Sequence, residues 1–219
     1  MCNNRPIQLY EEEKFSFNQF TGKKITGVRF YACDFSEIEL TETQFINCYF
    51  WQPDKQLGCD FSGANLKEAS FVNCDLTMCT FMNANLFGIE IRECRAMGCN
   101  FRRARFMKKI SSRLWLCNAF ITKSNLSYAD LSGATLEECE LWENCWNGTI
   151  VAGANFSGSD LSGSDFTNFN WRSTDVTNCD LRRSFLGELD IRRTNLEGVK
   201  IDYEQVTTLM AYLDITVTE

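Results

Sequence analysis

The sequence predicts an all-β solenoid, a coil of short strands with four sides to each turn. Three observations predict it. A large apolar residue recurs at every fifth position, a small residue stands two positions before it, and Asp or Asn often stands immediately before it. A period of five matches neither the 3.6 residues of a helical turn nor the two-residue alternation of a flat strand. It needs a chain that turns a corner every five residues. Four such sides close a coil of about 20 residues, and neighbouring coils then bond through their backbones at ~4.8 Å.

The centres fall in three runs. The first reads Phe15, Phe20, Ile25, Phe30, Phe35, Leu40, Phe45, Phe50. The second steps from Phe61 to Phe106 and includes Leu66, Phe71, Leu76, Phe81, Leu86, Ile91, Ala96 and Phe101. The third steps from Ile121 to Ile201. All 35 centres are apolar in a chain that is 44% apolar. Ala, Ser or Cys fills most positions two before a centre, for example Ala64, Ala84, Ala129, Ser159 and Ser164. Nine of the 12 cysteines stand there: Cys33, Cys48, Cys59, Cys74, Cys79, Cys94, Cys99, Cys139 and Cys179. Asp60, Asn65, Asp130, Asp160 and Asp180 exemplify the position just before the centre, where Asx, like Gly, suits a corner. Free cysteine is a small hydrophobe, so these residues are expected to pack the interior. The pairs Cys74/Cys79 and Cys94/Cys99 are five apart and do not match zinc-ligand spacing, so no metal and no cofactor is expected.

The frame breaks twice. Phe50 to Phe61 is 11 residues instead of five, so Trp51-Gln52-Pro53-Asp54-Lys55-Gln56-Leu57-Gly58 must bulge out. Proline has no N–H for a coil's ladder, which suits a loop. Between Phe106 and Ile121 the step is a multiple of five, but the positions inside it fail the pattern. Met107-Lys108-Lys109-Ile110-Ser111-Ser112-Arg113-Leu114-Trp115-Leu116-Cys117-Asn118 therefore reads as a second loop. The chain resumes with Cys59-Asp60-Phe61 after one loop and Ala119-Phe120-Ile121 after the other, so both are expected to leave the coil by the same geometry. With four repeats to a coil, ten repeats from Phe50 to Phe106 put the loops on opposite sides. Loops on a rigid scaffold are where binding concentrates, and Trp51 and Trp115 are residues of the type enriched in interface hot spots. The alternative is that both loops are tolerated insertions.

Residues 1–14 lack the pattern and are expected to lead into the coil at residues 15–201. Residues 202–219 form the end. Val206, Leu209, Met210 and Leu213 share one helical face, which suits a helix covering the open end of the solenoid. Ile215 and Val217 belong to a short strand after it, and helix and strand together offer a dimer contact.

Composition narrows function. The 219 residues include 18 Phe but no His. That excludes Ser-His-Asp and Cys-His catalysis and histidine metal ligation. No phosphate-binding glycine loop is present, and the carboxylates recur with the repeat instead of converging, so no enzyme is expected. Formal charge is −7, a poor balance for direct nucleic-acid binding. It is unevenly spread: net −3 over residues 1–60, +5 over 61–120 and −9 over 121–219. Arg102, Arg103, Arg105, Lys108, Lys109 and Arg113 make the middle basic, and Glu137, Glu138, Glu140, Glu143, Asp160, Asp165, Asp175 and Asp180 lie in the acidic far part. A narrow acidic rod could occupy a groove built for DNA; an ordinary solvated acidic face is the alternative. No apolar stretch suits a signal peptide or a membrane span, so a cytoplasmic protein with reduced cysteines is expected.

The A-(D/N)-(L/F)-x-x pattern resembles the pentapeptide-repeat proteins. The match is closer to the Qnr quinolone-resistance family in particular. It is carried by Gly58-Cys59-Asp60-Phe61-Ser62, Gly88-Ile89-Glu90-Ile91-Arg92-Glu93-Cys94-Arg95-Ala96 and Ser124-Asn125-Leu126-Ser127-Tyr128-Ala129. Cys139-Glu140-Leu141-Trp142-Glu143-Asn144, Phe156-Ser157-Gly158-Ser159-Asp160-Leu161-Ser162-Gly163 and Gly198-Val199-Lys200 extend it. The resemblance implies a right-handed quadrilateral β-helix and a cytoplasmic bacterial homodimer joined at its C-terminal ends. It implies binding to DNA gyrase and topoisomerase IV that protects them from quinolones, with residues 51–58 and 107–118 needed for protection. The charged second loop departs from the less charged loop of that family. A DNA mimic or scaffold directed at another nucleic-acid-binding partner is the second reading.

Overall fold

In the computed structural model, which describes residues 8–112, 114–211 and 215, the five-residue period becomes the side of a square coil. Each centre points inward, the next two residues turn the corner, and the small residue and its neighbour begin the next side. At a corner such as Phe61-Ser62-Gly63-Ala64, the Ala64 N–H donates to the Phe61 carbonyl at 3.1 Å and Gly63 has φ +68°. That is a type II turn, whose third residue needs a positive φ. Most corners place a residue there in the same left-handed region, and many are not glycine, for example Glu37, Asn73 and Arg103.

The Asx residues do not sit at the corners, as the pattern suggested, but on the flat side just before them. From there the side chain accepts from the N–H two residues on: Asp60 from Ser62 at 2.8 Å, Asp130 from Ser132 at 2.9 Å, Asp160 from Ser162 at 2.9 Å. A short side-chain acceptor at that position pre-forms the bend.

Successive coils pair in parallel. The longest sheet runs Lys24–Thr26, Gln44–Ile46, Ser70–Val72, Ile89–Arg92, Ala119–Thr122, each strand bonded to the next. Ile25 faces Phe45 and Phe71 faces Ile91, both 20 residues on, so four repeats make a coil. Phe45 faces Phe71 and Ile91 faces Ile121, offsets of 26 and 30. Insertions of six and ten residues therefore interrupt the coil without changing its register. We call the side carrying this sheet face one. The other three follow in chain order: Phe50 lies on face two, Phe61 on face three and Leu66 on face four.

This stacking builds the core. On face three the rings of Phe35, Phe61, Phe81 and Phe101 lie nearly parallel at centroid spacings of 4.6, 5.0 and 5.0 Å. Tyr10, Phe30 and Phe50 stack likewise at 5.4 and 5.1 Å. The coil thus starts earlier than the pattern indicates. Leu9–Glu11 pairs with Arg29–Tyr31, so part of the segment read as a lead-in already belongs to the ladder. The nine cysteines two before a centre are all buried, and several donate to carbonyls of a neighbouring coil, Cys99 to Leu76 at 2.9 Å and Cys179 to Phe156 at 2.9 Å. Burial pushes the Cys179 thiol up to about 12, which keeps it protonated and inert.

At the far end the helix Tyr203–Ala211 closes the coil. Leu209 is buried in the core. Gln205, which the apolar pattern passes over, is also buried, and its Nε2 donates to the Leu181 and Ser184 carbonyls, both at 2.7 Å. Its N–H donates to the Asp202 carboxylate at 3.1 Å while its Oε1 accepts from the Asp202 N–H at 2.9 Å, a reciprocal cap.

Two outcomes test this account. Phe81→Ala removes a ring stacked on both sides and is expected to cost about 3–5 kcal/mol, read as a lower denaturant midpoint. Acid should destabilise the fold only below the ordinary carboxylate range. Hydrogen bonding from Arg182 holds Asp180 low against the cost of burial, and burial of Glu39 is outweighed by bonds from Thr41 and Asn65. The folded pKa lies below the unfolded one, so this stabilisation is complete above the reference values of 3.8 and 4.5 and is lost as pH falls below them. Denaturant midpoints measured against pH should stay level from about pH 7 to 5 and fall below about pH 4; a fall beginning near neutrality would contradict the assignment.

Candidate protein-interaction site

Both predicted loops are antiparallel hairpins. The first pairs Trp51–Gln52 with Leu57–Gly58. The second pairs Met107–Lys109 with Trp115–Cys117. The first leaves the corner between faces two and three, the second the corner between faces four and one. These corners are opposite, as the repeat count predicts, so the hairpins do not form one cleft.

The first hairpin is tied down. Gln52 is buried and its Nε2 donates to Glu11 at 3.0 Å. Lys55 pairs with Glu11 at 3.4 Å and with Glu12 at 2.5 Å. Trp51 is half-buried, so it is not a free anchor, while Pro53, Asp54, Lys55, Gln56 and Leu57 are exposed. Gly58 returns the chain to the coil at close range: a Cβ there would collide with the Met78 carbonyl.

The second hairpin projects further. Ile110, Leu114, Trp115 and Leu116 are about half exposed or more. Lys108, Lys109, Ser111 and Ser112 are exposed as well, whereas Met107, Cys117 and Asn118 are half-buried at its root. Arg113 lies outside the described residues. The Lys109 ammonium sits 5.6 Å from the Trp115 ring centroid and Lys108 5.9 Å from that of Phe87, both within cation–π range. Beneath the hairpin runs an open groove of about 500 Å³ lined by Lys67, Asn85, Phe87, Arg105, Met107, Lys108, Lys109 and Trp115. The sequence does carry a signal for its missed members, because Lys67, Phe87 and Met107 are 20 apart, as are Asn65, Asn85 and Arg105. They form two columns up the coil. Among the described residues no ion pair neutralises Arg105, Lys108 or Lys109.

The adjoining face one carries an acidic run beyond the hairpin, and the run ends at Lys200. Glu140, Asp160 and Asp180 stand in register on three successive coils, so their spacing is ~4.8 Å. Arg182 partly neutralises the last, at 2.5 Å from Asp180. The second hairpin therefore rises between a basic patch of Lys67, Arg105, Lys108 and Lys109 and an acidic column.

The residues expected at a dimer contact divide. Leu209 is spent on the chain's own core, Val206 and Met210 are half-buried, and Ile215 is exposed. Leu213 and Val217 lie outside the described residues. Among the described residues no cluster of potential metal ligands occurs, and no helix is long and apolar enough to cross a membrane.

Comparison with known proteins places the chain. A model of pentapeptide repeats matches eight copies, over residues 59–95, 113–142, 146–170 and 159–198. The quinolone resistance pentapeptide repeat protein QnrB96 of Scandinavium goeteborgense is 54% identical over 139 residues, 64% of this chain and 65% of that protein. The pentapeptide repeat protein QnrB4 of Escherichia coli is 54% identical over 144 residues, 66% of this chain and 67% of that one. The matched stretches thus span about two thirds of these relatives' lengths. A solved structure of full-length QnrB1, a plasmid-mediated fluoroquinolone resistance protein, superposes with a TM-score of 0.94 at 52% identity, covering 95% of this chain and 98% of that one. The right-handed quadrilateral β-helix expected from the resemblance is the fold of this chain, which belongs to the pentapeptide-repeat family and, within it, to the Qnr-type proteins.

Proposed function

We propose that this protein binds the bacterial type II topoisomerases, DNA gyrase and topoisomerase IV, and protects them from quinolones. It acts as a shaped, charged surface and not as an enzyme, without cofactor or metal, in the cytoplasm, as a homodimer joined at its C-terminal ends. The names of its relatives support the quinolone link. The observation that carries the reading is the second hairpin, which presents Trp115 and Lys109 as an exposed pair above Arg105 and Lys108. An exposed Trp is of the type enriched in interface hot spots, and the lysine beside it adds positive charge. The acidic column of face one supplies the second element, a line of closely spaced negative charge beside that hairpin. In this mechanism the acidic rod lies along DNA-binding surface of the topoisomerase, the hairpins fix its position, and the drug-stabilised cleavage complex is prevented or destabilised.

The acidic column also favours a second reading, a DNA mimic or scaffold for a different nucleic-acid-binding partner. Gyrase supercoiling with and without ciprofloxacin separates the two: rescue supports topoisomerase protection, and no rescue at any protein concentration supports the other partner.

Trp115→Ala combined with Lys109→Ala should raise the concentration needed for rescue about 30-fold, the equivalent of about 2 kcal/mol, with unchanged circular dichroism and denaturant midpoint. Undiminished rescue would remove the hairpin from the mechanism. Glu140→Gln combined with Asp160→Asn keeps a turn-forming acceptor at 160 and deletes two stacked charges. Weaker rescue is expected in the same assay, and equal rescue would assign docking to the hairpins alone.

A further inference from the structure

The second hairpin has a further chemical feature at its root. Cys117, the last residue of its return strand, has its Sγ 3.4 Å from Cys139 Sγ on the next coil. Of the eleven described cysteines nine are buried; Cys117 and Cys145 are the half-buried ones. Cys145 lies against the Ser127 hydroxyl at 3.3 Å. Cys117 thus combines access from solvent with a second sulfur in contact. A disulfide needs about 2.05 Å between sulfurs, so the two must close by about 1.4 Å. Cys117 belongs to the hairpin root, outside the repeating coil, and is half-buried, whereas Cys139 is buried within the coil.

We propose that Cys117 and Cys139 form an oxidisable dithiol, which a peroxide converts to a disulfide clipping the second hairpin to the coil beside it. Cys117 is the attacking sulfur and Cys139 the resolving one. The hydrogen bond between the two sulfurs holds Cys117 below the ordinary thiol range, while that contact and burial push Cys139 up. The Cys117 thiolate attacks a peroxide oxygen, the O–O bond breaks, and the leaving hydroxide is protonated to water. The Cys139 sulfur then attacks the sulfenic sulfur and gives up its proton, the S–O bond breaks, and the departing hydroxide takes a proton to leave as water. Two thiols lose two electrons and two protons, and hydrogen peroxide becomes two waters. The step stands apart from the proposed partner, since it needs only this chain and the oxidant.

The test treats the intact, folded protein with hydrogen peroxide, alkylates the remaining thiols and maps peptides by mass spectrometry. The expected product is a Cys117–Cys139 cross-linked peptide lighter by two hydrogens, with both thiols lost to alkylation and both restored by dithiothreitol. Cys139→Ser, a substitution that the interior accepts at Ser124 and Ser159, should leave a sulfenic acid at Cys117 that dimedone traps. Oxidation of Cys145 with Cys117 still alkylatable would overturn the proposal. So would Cys117 oxidised to sulfinic acid, or joined to another thiol, in wild-type protein that keeps Cys139 alkylatable.

Discussion

Every column of side chains in this protein answers to the parallel backbone ladder between coils. The ladder brings residues 20 apart into register at ~4.8 Å, and each column then needs one kind of side chain. Flat rings suit that spacing, and Phe61, Phe81 and Phe101 stack at 5.0 Å. Small polar or sulfur atoms fit the second interior position because a carbonyl of a neighbouring coil is within reach, as for Ser159 on Leu136. On the surface the same rule makes columns of charge, which is why Glu140, Asp160 and Asp180 align despite their mutual repulsion.

Insertions are tolerated because they leave this register alone. At the first hairpin the Cys59 N–H donates to the Phe50 carbonyl at 3.1 Å; at the second the Asn118 N–H donates to Phe106 at 3.1 Å. Each bond closes the gap so that the coil resumes. The two joins differ by one residue, since Cys59 stands two before its centre and Asn118 three before Ile121, where the repeat pattern suggested one shared join. Closing the gap separates scaffold from display, and the second hairpin can carry exposed Trp115 and Leu116 without disturbing the core.

The ends are where a ladder is incomplete. The last coil leaves carbonyls without a coil above them, and Gln205 satisfies two of these with its amide while Leu209 covers the apolar interior. A polar residue buried at the end of an apolar column is thus a structural necessity, and it draws the helix that bears it onto the coil.

The period, the inward centres, the interior role of nine cysteines, and the place and size of both insertions are legible in the chain of residues alone. Each is a local choice among near neighbours, repeated many times along one chain. What depends on local backbone geometry or on residues one coil apart became visible only in the closed coil. Closure turned the loops into hairpins, moved Asp60 and its equivalents from corner to flat side, and drew Tyr10 into the stack. It half-buried Trp51 and gathered Lys67, Phe87 and Arg105 under the second hairpin. It also brought Cys117 to Cys139. The reason is physical: the ring stack, the groove and the sulfur contact join neighbouring coils whose partners are set by the register of the closed coil. The hairpin pairing and the Asp60 bend depend on local backbone geometry that the residue pattern leaves open.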